Sequence, residues 1–186
     1  MNQLSVNRAQ ERPTIGEWRD GYGVPVINER TVRAAAGLLF LGGAFAAVSA
    51  FNTGSSVPLR PFGMFFLIDM LIRVIVSDRW SPSLALGGLI VRGQAPEWVG
   101  APQKGFAWGL GIVLAVTSCL AMGTLNLPLA AVMALCGVCL TLLFIEASFG
   151  ICAGCQLQRL FSRTAPQHCP GEVCPINHTH KDTPHA

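Results

Sequence analysis

Two cysteines three residues apart, Cys152 and Cys155, follow directly on a long apolar run. A pair so spaced supports two kinds of chemistry. As a dithiol it exchanges electrons or carries sulfur, and the reacting form is the thiolate. An unperturbed cysteine, with a pKa of about 8.5, is mostly protonated at neutral pH. As half of a metal site it needs further soft ligands, and thirteen residues later Cys169-x4-Cys174 supplies them, with Pro170 and Gly171 forming a knuckle-like turn. Cys152, Cys155, Cys169 and Cys174 together make a four-thiolate set that zinc would fit. The four-residue gap is at the wide end for structural pairs. His168, His178, His180 and His185 could substitute as ligands, although scattered tail histidines are more often merely solvated. An inert pair is the third reading.

The backbone around the pair decides between a reactive and an inert thiol. A helix continued through Cys155 would place both thiols at its negative end, which raises a thiol pKa. Gly150 and Gly154 argue for a break instead. A new helical turn beginning near Cys152 would reverse the dipole, and Arg159, four residues past Cys155, would add positive charge. A glycine-loosened turn also brings the two Cβ atoms toward the roughly 3.5–4.5 Å that a disulfide wants. Cys136-Gly-Val-Cys139 repeats the spacing, but it lies inside the apolar run. With Cys119 it reads as small buried hydrophobes rather than as an electron path.

A second set of candidate residues consists of charges where none belong. Asp69 and Arg73 are four apart, on one helical face within an apolar segment, and Glu146 is the one charge between Pro128 and Phe149. Each costs roughly 2.5–3.5 kcal/mol at membrane depth unless paired or hydrated. Arg73 and Glu146 both lie about 6 Å below the same boundary, so the expectation is an ion pair between them, with Asp69 on the other side of Arg73. A proton relay is the rival.

These residues must be positioned by membrane-spanning helices. Of 186 residues 51% are hydrophobic and 12% charged, and mean hydropathy is positive, too little polar surface for an ordinary soluble domain. The run from Pro128 to Phe149 would extend roughly 33 Å as a helix, against a hydrocarbon core of roughly 30 Å. Three similar runs precede it, at about 32–51, 58–78 and 106–125. Gly42 and Gly43 in the first allow close helix packing. The segment from Ser81 to Arg92 is too short to span, and lies along the interface or folds against the bundle.

The fold expected is therefore all-α, a polytopic membrane bundle of four helices in two hairpins over 31–160. Before it comes a cytoplasmic arm, 1–30, with neither helical nor strand periodicity; after it comes a cytoplasmic Cys/His-containing tail, 161–186. No cleavable signal peptide precedes the first span. Of thirteen Lys and Arg, eleven fall before or at the entry of the first run, between the second and third, or after the fourth, which places both termini inside. The net charge of +3 is topology signal, not a nucleic-acid footprint.

Several blocks carry a resemblance: Asn28-Glu-Arg-Thr-Val-Arg33, Asp69-Met-Leu-Ile-Arg73, Ser81-Pro82, Gly105-Phe-Ala-Trp-Gly-Leu-Gly111, and Glu146 through Cys155. Over roughly 26–160 the chain resembles the bacterial membrane proteins grouped as domain of unknown function 4395. Members of that family often occur beside thioredoxin-like and rhodanese-like proteins. The resemblance thus implies a bacterial inner membrane and, by association, thiol or sulfur chemistry. The first functional expectation is an integral membrane protein, anchored in the lipid bilayer, that presents a cytoplasmic-side dithiol, Cys152 and Cys155, for exchange of electrons or sulfane sulfur with a thioredoxin- or rhodanese-like partner. A structural or regulatory zinc protein is the alternative. A small transporter subunit built on Asp69, Arg73 and Glu146 is the third, and four spans would need a homo-oligomer to enclose a pathway.

Overall fold

The computed structural model describes residues 13–19, 22–125 and 127–150. It is mostly helical, with five α-helices among the described residues. Helix α1, Glu29–Thr53, begins where the Asn28 side chain accepts from Arg30 N, and stops at Gly54, which takes the left-handed conformation (φ 64°). Helix α2, Leu59–Leu71, runs without a break into a π-helical turn, Ile72–Val76. A 3-10 turn, Asp78–Trp80, then leads into α3, Pro82–Ile90, capped by Ser81 Oγ accepting from Leu84 N, with Pro82 at the first helical position. Helix α4 covers Ala101–Gly123 and α5 covers Leu129–Phe149.

Among the described residues, three stretches are long and apolar enough to cross a membrane: α1, Lys104–Gly123 of α4, and α5. The second run is different. Only thirteen of its residues are α-helical, and the π-turn carries the helical course on to Val76. A π-turn inserts an extra residue into the helical ladder, and here it falls on the segment that holds Arg73. The segment after it folds against the bundle, with α3 lying on α1. Gly87 permits that contact: a Cβ there would sit 2.6 Å from Thr31 O and 2.9 Å from Ala35 N.

Residues 13–30 hold more order than their composition suggests. Strand β1, Val26–Asn28, pairs antiparallel with β2, Trp98–Gly100, in the register Val26 to Gly100, and Glu17 bridges to Val26. Three-residue strands are too short to show a two-residue period, so they left no sequence signal. This small ribbon holds the start of α1 beside the start of α4.

Helix α1 is central. Val32, Ala35, Ala36 and Leu39 pack with Phe66 and Met70 of α2, Leu84 of α3, Trp108 of α4 and Leu143 of α5. A second cluster, around Ala46, Ala47, Ala50, Leu59, Met122 and Val132, fills the other end. Gly43 allows the close approach: a Cβ there would meet Leu140 at 2.6 Å and Phe62 at 2.9 Å. The outward faces stay apolar, with Phe45, Ile68, Val113 and Val138 exposed, as helices in lipid require.

The α1–α3 contact predicts a contrast between adjacent glycines. Gly87→Ala should cost about 1–3 kcal/mol by overpacking against backbone that cannot yield, while Gly88→Ala, whose Cβ would meet only Thr31 Cγ2 at 3.8 Å, should stay within about 0.5 kcal/mol. Thermal unfolding of both variants in detergent measures the difference; equal losses would refute the packing assignment.

Candidate functional site

Two buried charge centres lie among these elements. The first is built by the π-turn and the 3-10 turn. Helical spacing puts Arg73 over Asp69, and the chain reversal through 77–81 brings Ser81 and Ser83 back onto the pair. Asp69 Oδ2 accepts from Arg73 Nε at 3.0 Å and from Ser83 Oγ at 2.6 Å, and lies 2.9 Å from Arg73 Nη2 in an ion pair. Its Oδ1 accepts from Ser81 Oγ at 2.7 Å and from Ser83 N at 3.2 Å. Arg73 donates also to the hydroxyls of Ser81 and Ser83. With Asp69 0% and Arg73 3% exposed in their side chains, neither ion has solvent to replace these partners. The carboxylate is held by four hydrogen bonds and the ion pair, which offsets its desolvation.

The second centre joins α1, α4 and α5. Lys104 Nζ lies 2.8 Å from Glu29 Oε2, 3.0 Å from Glu29 Oε1 and 2.9 Å from Glu146 Oε1. Glu29 and Lys104 are buried; Glu146 is nearly so. Glu29 occupies the first turn of α1, where the positive helix end favours an anion. Lys104 occupies the first turn of α4, which disfavours a cation, so its stability there depends on the two carboxylates.

This arrangement corrects the expected ion pair. Glu146 pairs with Lys104, and Arg73 pairs with Asp69 and two serines; depth alone placed Arg73 and Glu146 at one level, but side-chain direction separated them. They still line a common cavity of about 60 Å³, together with Trp108. The Trp108 ring lies 5.1 Å from the Arg73 guanidinium carbon, a cation–π distance. Lys104 and Ser83 were not singled out in the sequence, and Glu29, Ser81 and Trp108 entered only within the blocks that carry the resemblance. The signal for Lys104 was its place one residue before a long apolar run, the position of a charge carried into a bundle by its helix.

The thiol candidates divide. Cys119, Cys136 and Cys139 are half-buried free cysteines on α4 and α5. Cys152, Cys155, Cys169 and Cys174 lie outside the described residues. The structure does describe the helix end that precedes them. Helix α5 stops at Gly150, in the left-handed conformation (φ 65°), whose N–H donates to Glu146 O. Arg33 of α1 donates from Nε to Ala147 O at 3.3 Å and from Nη2 to Ser148 O at 2.9 Å, so a cation covers the negative end of α5.

Truncating a cation in either centre should leave carboxylate charge uncompensated at depth. Arg73→Leu and Lys104→Met are each expected to lose about 3–5 kcal/mol. Glu146→Gln should lose little, because the amide oxygen still accepts from Lys104 while Glu29 balances its charge. Chemical denaturation in mixed micelles ranks the three. Normal stability of Arg73→Leu with loss of function alone would transfer the first centre from a structural to a functional role.

Comparison with curated proteins and with solved structures finds no match. The model of one family matches residues 27–163, a span that takes in both charge centres and the end of α5 with its C-x-x-C. The chain therefore belongs to the family described as domain of unknown function 4395.

Proposed function

We propose that this chain is a bacterial inner-membrane protein of four spans, with both termini in the cytoplasm. It presents Cys152 and Cys155 there as a reversible dithiol for a thioredoxin- or rhodanese-like partner. The observation that supports the reading best is the end of α5. The helix stops at Gly150, before the thiols, and Arg33 neutralises its negative end. Two peptide units keep Cys152 within about 8 Å of Gly150. A Cβ on Gly150 would lie 3.4 Å from Arg33 Nη1, so the guanidinium stands at the base of the thiol segment. A cation so close favours the thiolate, the form that attacks a disulfide or accepts a sulfane sulfur.

In the four-span reading, α2 and its π-turn cross together. Eighteen residues from Leu59 to Val76 rise roughly 27 Å, close to the hydrocarbon thickness; of their three charges, Asp69 and Arg73 neutralise each other and Arg60 lies in the first turn. The Arg73 end carries Arg79 and Arg92 in the connection and Lys104 in the first turn of α4, and the other end carries Arg60 in the first turn of α2, whose Nη2 donates to Met122 O. The positive-inside bias then sets the Arg73 end, and the thiols with it, in the cytoplasm. A reporter fused after Ala186 should be active on the cytoplasmic side; periplasmic activity would place the thiols in an oxidising space and defeat the relay.

The relay needs only Cys152 and Cys155, whereas a four-thiolate zinc site needs Cys169 and Cys174 as well. A chain ending after Arg163 should therefore keep a reversible redox couple, a low-pKa thiol and a mixed disulfide with the partner. Metal content and thiol titre on both lengths make the measurement. Stoichiometric zinc in the full-length protein only, with thiols unreactive until chelation, would replace the relay by the zinc reading.

A further inference from the structure

The cavity between α2, α4 and α5 carries polar groups that neither charge centre satisfies. At about 60 Å³ it has room for about four waters, or for one molecule of about four non-hydrogen atoms. Much of its wall is apolar, Met70, Leu114 and Leu143 among it. Trp108 is 3% exposed, and its indole Nε1–H has no acceptor among the described residues. Arg73 uses Nε and Nη2 on Asp69, Ser81 and Ser83, while its Nη1 makes no hydrogen bond to any described residue. Glu146 gives Oε1 to Lys104, and its Oε2 accepts no hydrogen bond from any described residue. A buried N–H without a partner is left with its desolvation penalty, so the chamber favours an occupant that accepts from Trp108 and Arg73 and donates to Glu146.

Charge and access narrow the class. The groups facing Glu146 are Lys104 and Glu29, with the Arg73–Asp69 pair across the chamber; three carboxylates stand against two cations. Arg33 is committed to the carbonyls of Ala147 and Ser148 and is not among the described walls. That balance repels an anion. The walls from α1 and α2 are buried, while those from α4 and α5, Trp108 and Leu143 apart, are half-buried, so the more exposed side is at α4 and α5, which the membrane reading gives to lipid, where ions are scarce. We propose that the chamber binds a small weak acid in its uncharged form, a carboxylic acid the size of acetic acid. The acid's carbonyl accepts from Trp108 Nε1 and Arg73 Nη1, and its O–H donates to Glu146 Oε2. The proposal is independent of the thiols.

The test uses the full-length protein in lipid nanodiscs with ¹⁵N-labelled tryptophan, the Trp108 indole signal being assigned by its loss in Trp108→Phe. Acetic acid at about pH 5 should shift that signal saturably. Above the acid's own pKa, the total acetate needed for half the shift should rise about tenfold per pH unit, because only the neutral form binds. In Glu146→Gln the amide oxygen turns to Lys104 and the amide N–H₂ faces the chamber, so the preference should reverse toward the acetate ion. No saturable shift of the Trp108 signal, with exchange against water alone, would overturn the proposal and leave a hydrated chamber. Equal binding at about pH 5 and about pH 8 would overturn the uncharged form, and an unreversed preference in Glu146→Gln would overturn the role of Glu146.

Discussion

Five charged side chains taken out of solvent, three carboxylates and two cations, must be compensated inside the protein, and the connections of this fold follow from that constraint. An isolated arginine there would have no water to satisfy its donors, and a carboxylate alone would meet the same penalty. The chain answers locally first: Asp69 and Arg73 share one helical face. It then folds Ser81 and Ser83 back onto the pair, which requires the helix to end at Ser77 and the backbone to reverse within a few residues. The reversal places α3 against α1, where Gly87 gives it room. The neutralised pair and the docked short helix are thus two results of one turn.

The long helices were legible because an apolar run of twenty residues has one stable form in lipid, and α1, α4 and α5 answer to it closely. The second run was legible as apolar but not as a π-turn, since the extra residue is inserted to satisfy Arg73 and its serines, a tertiary demand that no local periodicity carries. The ribbon of 26–28 with 98–100 was invisible for another reason: three residues per strand hold no period. Of the charge centres, the sequence showed which residues were out of place, Asp69, Arg73 and Glu146, and the depth at which they lie. Their partners depended on helix rotation. Lys104 was read as loop charge at the membrane boundary, yet it starts α4 buried between two carboxylates.

The second centre has a mechanical consequence for the thiols. Helix α5 is the most lipid-exposed of the long helices, so apolar packing alone specifies its position weakly, lipid being as good a solvent for its side chains as the bundle. Directional contacts must fix it, and at the thiol end there are two: Lys104 to Glu146, and Arg33 to the carbonyls of Ala147 and Ser148. Both cations come from near the starts of other helices, which the β1–β2 ribbon holds side by side. The C-terminal end of α5 is therefore positioned through a ribbon formed by segments far from it in the sequence.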